Sequence, residues 1–270
     1  MVMEQVNSHG LVLLGCGKMG SALLAGWLAQ GISEQAVWVL EPNPSDWLQA
    51  QGVHLNQGVP AAAAVCVLAV KPQMMGAALP SIVALGNGAT LFLSIAAGTT
   101  IATFAATLGA ATPIVRAMPN TPAAVGRGIT ALVANDRAGA EGLALAEGLM
   151  SAVGQVVLLE HEGQMDAVTA LSGSGPAYVF HLIEAMAAAG VAEGLAPEMA
   201  MQLARTTVCG AGELAHQAPE AAAQLRINVT SPGGTTAAAL AVLMDPETGF
   251  PPLLKRAVAA AAARGRELGK

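Results

Sequence analysis

Two stretches of this chain hold residue types at spacings that could do chemistry. The first reads Asn228, Val229, Thr230, Ser231, Pro232, Gly233, Gly234, Thr235, Thr236. Hydroxyls crowd it, Pro232 removes a backbone donor, and the paired glycines favour loop dihedrals. Alanine-rich helical sequence flanks it, and a new helix starts at its end. A helix start offers free N–H groups and a partial positive charge, which suits a small anion such as a carboxylate. A capped turn between two helices would use the same residues, and both readings stay open at this point. The second stretch is Gly15, Cys16, Gly17, Lys18, Met19, Gly20. Its GxGxxG spacing lets Gly15 turn tightly, Gly17 admit a pyrophosphate, and Gly20 pack close to a strand.

The elements around the glycines decide what they are for. An apolar strand precedes them, a helical run over 21–30 follows, and a second strand covers 36–40. Strand, GxGxxG, helix, strand is the order of a dinucleotide-binding βαβ unit. A triphosphate loop does not fit, because Met19 follows Gly17 and Lys18 where Ser or Thr would be needed. Glu41 ends the second strand, where a carboxylate accepts hydrogen bonds from an adenosine ribose and favours NAD. No Arg or Lys stands beside it to receive the extra phosphate of NADP. Further buried strands are expected over 65–70, 90–94 and 114–118, each ending in small residues that should line the cofactor. Strands over 129–134 and 155–159 flank an amphipathic helix over 138–151.

After residue 163 the strand pattern stops. Helices are expected over 165–171, 176–190, 197–216, 219–227, 235–244 and 250–268. The fold class is therefore an α/β Rossmann-type domain, residues 1–163, followed by an all-α helical domain, residues 164–270. The segment Ser172, Gly173, Ser174, Gly175, Pro176 should interrupt one helix and start the next.

Composition narrows the classes. Of 270 residues, 54% are hydrophobic and 11% charged, and mean hydropathy is +0.55. The longest uncharged stretch is cut by Pro80, Gly86, Gly88 and Gly98, so no run reaches the roughly 20 residues of a spanning helix. No signal peptide is read at the start. Net charge is −6 and aromatics are 3%, which argues against a nucleic-acid surface. The five histidines show no metal-ligand spacing. Cys16, Cys66 and Cys209 sit in apolar sequence and read as reduced core thiols of a cytoplasmic protein. Few charges on a chain of this size point to surface buried against copies of itself.

General acids are scarce. The lysines are Lys18, Lys71, Lys255 and Lys270, none of them in the second domain's glycine turn or the helix after it. Tyr178 and His181 sit in an apolar helix and read as packing residues. A cyclic imine suits so poor a site, because it can arrive already protonated on nitrogen. It then needs a hydroxyl near the nitrogen and a grip on its carboxylate, and the 228–236 loop offers both.

Taken together, the glycine turn, Ala69-Val70-Lys71-Pro72, Ala96-Ala97-Gly98, Met118-Pro119-Asn120-Thr121-Pro122, the run from Leu171 through Tyr178 and the 228–236 loop resemble the pyrroline-5-carboxylate reductase family. The motifs stand in the family's order over nearly the whole chain. The resemblance implies reduction of 1-pyrroline-5-carboxylate to L-proline with NADPH or NADH, the last step of proline biosynthesis. It implies a homodimer with interleaved helical domains, often assembled further into a ring of five dimers. By position it places Leu14, Gly15, Cys16, Gly17, Lys18, Met19 and Gly20 on the pyrophosphate, and Glu41 and Asn56 at the adenosine half. Ala69, Val70, Lys71, Pro72, Ala96, Ala97 and Gly98 take the nicotinamide half, and Asn228 reaches the cofactor. Ser231, Gly234, Thr235 and Thr236 hold the substrate carboxylate, Thr236 addresses the ring nitrogen, and Glu162 lies near the substrate. Relatives often carry Ser, Thr or Asn where Glu41 stands, so NADH is expected to serve at least comparably to NADPH here. Two rivals are a hydroxyacid dehydrogenase on a similar plan, which lacks its helix lysine in this chain, and a non-catalytic dinucleotide sensor, which leaves the hydroxyl loop without a task.

Overall fold

A computed structural model describes residues 2–269. Its sheet has eight strands in the order β3-β2-β1-β4-β5-β6-β7-β8. These are β1 (Leu11–Leu14), β2 (Val37–Leu40), β3 (His54–Leu55), β4 (Val65–Leu68), β5 (Leu91–Ser94), β6 (Ile114–Met118), β7 (Gly128–Ala134) and β8 (Gly154–Leu158). β1 to β6 run parallel, β7 pairs antiparallel with β6, and β8 pairs parallel with β7. The inner strands β1 and β4 are apolar and buried at every position because both faces are covered. Leu11, Leu13, Val65, Val67, Leu91, Leu93 and Val115 point into one core. Val12, Leu14, Cys66, Leu68, Phe92 and Ile114 point into the other. That alternation is the period-two geometry of a strand.

The first core is roofed by α1 (Val2–His9), α2 (Lys18–Ala29) and α6 (Gly139–Ser151). The buried Trp27 indole N–H donates to the Leu149 carbonyl at 2.9 Å and joins α2 to α6. The second core is covered by α4 (Met75–Ala78), the short turns after it, and α5 (Ile101–Leu108). A small helix, α3 (Asp46–Gln49), is capped by the Ser45 hydroxyl, which accepts from the Leu48 N–H. The expected strands and the 138–151 helix form within two residues of their expected bounds. Helices α1, α3, α4 and α5 and strand β3 are not among the expected elements.

The chain divides into two compact units, 2–173 with 261–269, and 174–260. The division expected at residue 163 falls in the turn before α7 (Met165–Val168). A π-helical turn, Thr169–Gly173, continues α7 without a break in helical structure. Then come α8 (Gly175–Ala192), α9 (Pro197–Gln217), α10 (Ala222–Asn228), α11 (Thr235–Leu243) and α12 (Phe250–Leu268). The π turn ends at Gly173, Ser174 bends, and Pro176 stands in the first turn of α8, so one helix ends and the next starts across 172–176 as expected, with only Ser174 between them. Even so, Glu162–Ala192 is a helical run long and apolar enough, by length and composition, to cross a membrane. The sequence excludes an uninterrupted apolar run of that length, but this one passes with Glu162, Asp166, Pro176 and Glu184 inside it. Only 6% of that apolar window is buried.

In the second unit, α8 and α9 pack as a pair, with Gly190 set against Ala200 and Leu195. Their buried residues are Ala187, Ala200 and Ala204, while Phe180, Leu203 and Leu214 stand exposed. So much uncovered apolar surface marks a face made for another protein surface. Two sequence expectations fail here. Cys209 on α9 is exposed, whereas Cys16 and Cys66 are buried. His181 is not a core residue either: its side chain is 81% exposed and its Nδ1 lies 3.1 Å from Glu184.

Candidate functional site

The glycine turn follows β1 and is locked from both sides. The Gly15 N–H donates to the Leu40 carbonyl and the Ala69 N–H to the Leu14 carbonyl, both at 2.8 Å. Gly15 has φ +89°, and a side chain there would strike Val70 and the Ala69 backbone. At Gly20 an added Cβ would lie 2.6 Å from the Gly15 carbonyl oxygen. At Gly17, the N-cap of α2, an added Cβ would meet nothing within 4 Å. Close packing at the outer glycines and open space at the middle one fit a pyrophosphate set against the first-turn amides of α2. The turn therefore fits a dinucleotide cofactor.

Glu41 and Asn56 come together at the end of β2. Asn56, with φ +53°, accepts the Glu41 N–H and donates to the Glu41 carbonyl, each at 2.9 Å. The Glu41 carboxylate accepts the Cys16 N–H at 2.8 Å and the Asn43 N–H at 3.0 Å. It is thus held rigidly against the glycine turn. Burial, and then the Glu41 charge, push the Cys16 thiol up to about 12. Cys16 is therefore a neutral packing group rather than a nucleophile.

Ala69, Val70, Lys71 and Pro72 follow β4, with Lys71 exposed and capping a short 3-10 turn. Ala96, Ala97 and Gly98 follow β5, and the Thr100 hydroxyl caps α5. Gly98 has φ +74° and sits against the backbone of Leu268 and Gly269, so the last turn of α12 abuts this turn. Beyond β6, the Asn120 side chain accepts the Ile129 N–H at 2.9 Å and donates to the Ser172 hydroxyl at 3.3 Å. These three turns share the carboxyl edge of the parallel strands, where an open α/β sheet binds its ligand.

Glu162 lies at the same edge. Its Oε1 accepts from Arg116 Nη1 at 2.6 Å and from the Ile101 N–H at 2.8 Å. Arg116 carries a role the sequence reading did not assign. The available signal was a lone charge inside the otherwise apolar strand Ile114–Met118, since a buried guanidinium needs a partner.

The 228–236 stretch lies in the second unit. Asn228 ends α10 and Thr235 begins α11, with Gly234 as N-cap. Gly233 takes φ +69°, and the Gly234 N–H donates to the Ser231 carbonyl at 3.1 Å. The Thr230 hydroxyl turns back to the Arg226 carbonyl at 2.6 Å, and the Gln224 amide donates to Asn228 Oδ1 at 2.8 Å. No side chain caps α11. The Ser231, Thr235 and Thr236 hydroxyls have no partner among the described residues. No group of three metal-ligating side chains occurs among those residues.

A Rossmann-type sheet with an intact glycine turn, followed by helices with an uncovered apolar face, defines a dinucleotide-dependent oxidoreductase that pairs with copies of itself. Comparison with known proteins narrows the class. A family model described as pyrroline-5-carboxylate reductase dimerisation matches residues 162–268. One described as NADP oxidoreductase coenzyme F420-dependent matches residues 11–98. The chain is 39% identical to pyrroline-5-carboxylate reductase of Pseudomonas aeruginosa, covering 98% of both chains. It is 42% identical to the Synechocystis enzyme of that name, covering 96% of this chain and 98% of that one. Among solved structures, the reductase from Coxiella burnetii superposes with TM-score 0.86 at 37% identity, covering 97% of this chain and 99% of that one. The Plasmodium falciparum reductase, solved with NADP bound, superposes with TM-score 0.84 at 29% identity, covering 98% and 99%. The chain belongs to the pyrroline-5-carboxylate reductase family.

Proposed function

We propose that this chain reduces 1-pyrroline-5-carboxylate to L-proline with NADH or NADPH. The observation that carries the reading is the α11 start, where three unpartnered hydroxyls and uncapped amides stand ready for a carboxylate. Membership of the family supports it. When bound, the reduced nicotinamide supplies the hydride that the imine carbon takes up. The chain's own residues hold, orient and neutralise. Residues 14–20 take the pyrophosphate, Glu41 and Asn56 the adenosine half, and 69–72 with 96–98 the nicotinamide half. Asn228 contributes to the cofactor's grip. Ser231, Gly234 and Thr235 take the substrate carboxylate, and the Thr236 hydroxyl addresses the ring nitrogen. Glu162 offers an acceptor to the N–H of the cationic ring. The substrate already carries its proton, so the shortage of general acids is no obstacle.

The carboxylate of Glu41 would repel a 2′-phosphate, so NADH serves at least as well as NADPH. The helical region pairs two chains, with assembly of such dimers into a larger ring, in the cytoplasm. The test is loss of absorbance at 340 nm when pyrroline-5-carboxylate is added to enzyme and NADH or NADPH, with proline as product. Silence with both cofactors would overturn the proposal.

A further inference from the structure

We propose that Arg116 is a positioning residue for this reaction, fixing Glu162 with one carboxylate oxygen anchored and the other free for the substrate. The inference rests on the imine-reductase reading above. Arg116 lies in mid-strand and is 4% exposed. Burying a guanidinium is costly unless it is paired, and an apolar residue of similar volume usually serves stability as well or better. Simple packing of β6 would therefore favour an apolar side chain at this position. What the charge achieves is local and specific. It binds a carboxylate 46 residues away at 2.6 Å, and the same oxygen takes the first backbone N–H of α5.

One oxygen of Glu162 thus ties together β6, the turn after β8 and the start of α5. β6 leads into the Asn120 turn, and α5 emerges from the Gly98 turn, so the tie joins the strand that enters one turn to the helix that leaves the other. The other oxygen, Oε2, has no bond among the described residues, and the side chain is 30% exposed. A carboxylate fixed through one oxygen presents the second in a single direction, which is what a passing N–H requires. Arg116 also offsets the charge of Glu162. Without it, the carboxylate would repel the anionic group of an imino acid. Arg116 touches neither substrate nor cofactor in this scheme and acts through Glu162.

The experiment is a double-mutant cycle on the full-length enzyme, reading kcat and KM for pyrroline-5-carboxylate and, separately, NADH affinity by fluorescence titration. Loss of a charge-assisted anchor predicts a fall of about tenfold or more in kcat/KM for Arg116→Met, with NADH affinity within about twofold of wild type. Glu162→Gln keeps an anchored oxygen but replaces the free acceptor with a donor, and produces a fall of similar size. The double variant should then match Glu162→Gln within about twofold, because Arg116 has no acceptor left to orient. Arg116→Lys keeps the charge without the fork, and should hold kcat while raising KM several-fold. Multiplying losses in the double variant would make Arg116 a structural tie only and overturn the inference, as would an unchanged KM in Arg116→Lys. If Arg116→Met does not fold, the lysine variant decides by its KM. A wild-type enzyme inactive with the imine is a separate failure, that of the proposed function.

Discussion

The helix start at Gly17 is closed on itself, whereas the one at Gly234 is open. At Gly17 the neighbouring strand ends grip the turn, Gly15 carries a positive φ, and the Cys16 N–H is already given to Glu41. The only slack is the empty space beside Gly17 itself. At Gly234 the N–H donates to the Ser231 carbonyl, and three nearby hydroxyls have no partner among the described residues. A dinucleotide is recognised by a shape that the backbone makes, so the glycines must be exact in place and side chains matter little. A small imino acid is recognised by donors left unused, so the backbone needs little support and the hydroxyls matter most. Breaking the two starts should therefore have different signatures.

The largest effect is expected at the closed start. A Cβ on Gly20 would sit 2.6 Å from the Gly15 carbonyl oxygen, which is backbone and cannot swing aside. Gly20→Val should cost about 1–3 kcal/mol of stability through overpacking and abolish saturable NADH binding. Chemical denaturation and fluorescence titration measure the two. Wild-type cofactor affinity in this variant would show that the turn is looser than its contacts imply.

At the open start the damage should fall on chemistry instead. Thr236→Ala removes a hydroxyl and leaves the fold alone, since that hydroxyl has no partner among the described residues. A hydrogen bond to a charged group contributes about 1.5–3 kcal/mol, so kcat/KM for the imine should fall roughly 10- to 100-fold. NADH affinity should stay within about twofold of wild type. Equal losses in turnover and cofactor binding would place Thr236 on the cofactor rather than the substrate.

The closed site was legible in the sequence for the reason that makes it closed. Gly15, Gly17 and Gly20 declare a backbone conformation by their spacing, and the apolar strands around them declare burial by their runs. The 228–236 loop was legible only as a turn with spare hydroxyls; the resemblance supplied its ligand. The Arg116–Glu162–Ile101 tie was not read at all, because it joins positions 46 and 61 residues from Glu162. No local pattern encodes such a separation, and only the lone charge in Ile114–Met118 hinted at it. Cys209 and His181 were misread for a different reason. Apolar sequence reports that a surface is covered without saying by what, and in the helical region much of that surface is bare in a single chain. Glycine and proline at 172–176 did mark the change of helix, where Ser174 bends, but nothing in the sequence declared the π turn at Thr169–Gly173 before it.

The smallest expected effect sharpens the closed site further. Glu41 holds two backbone amides, from Cys16 and Asn43, so its carboxylate cannot turn away from an incoming phosphate without releasing both. A like-charge contact at this partly exposed position is worth about 1–2 kcal/mol, which converts to roughly tenfold in selectivity. Glu41→Ser should therefore move the ratio of kcat/KM for NADH over NADPH about tenfold toward NADPH. The gain should come from NADPH binding more tightly rather than from faster turnover, because the substituted group lies at the adenosine half. Part of the NADH affinity should be lost with it, since two amides that now order the turn would face water instead. An unchanged ratio would mean that the 2′-phosphate passes clear of Glu41. The residue would then serve the glycine turn alone, and the closed start would be closed for folding rather than for cofactor choice.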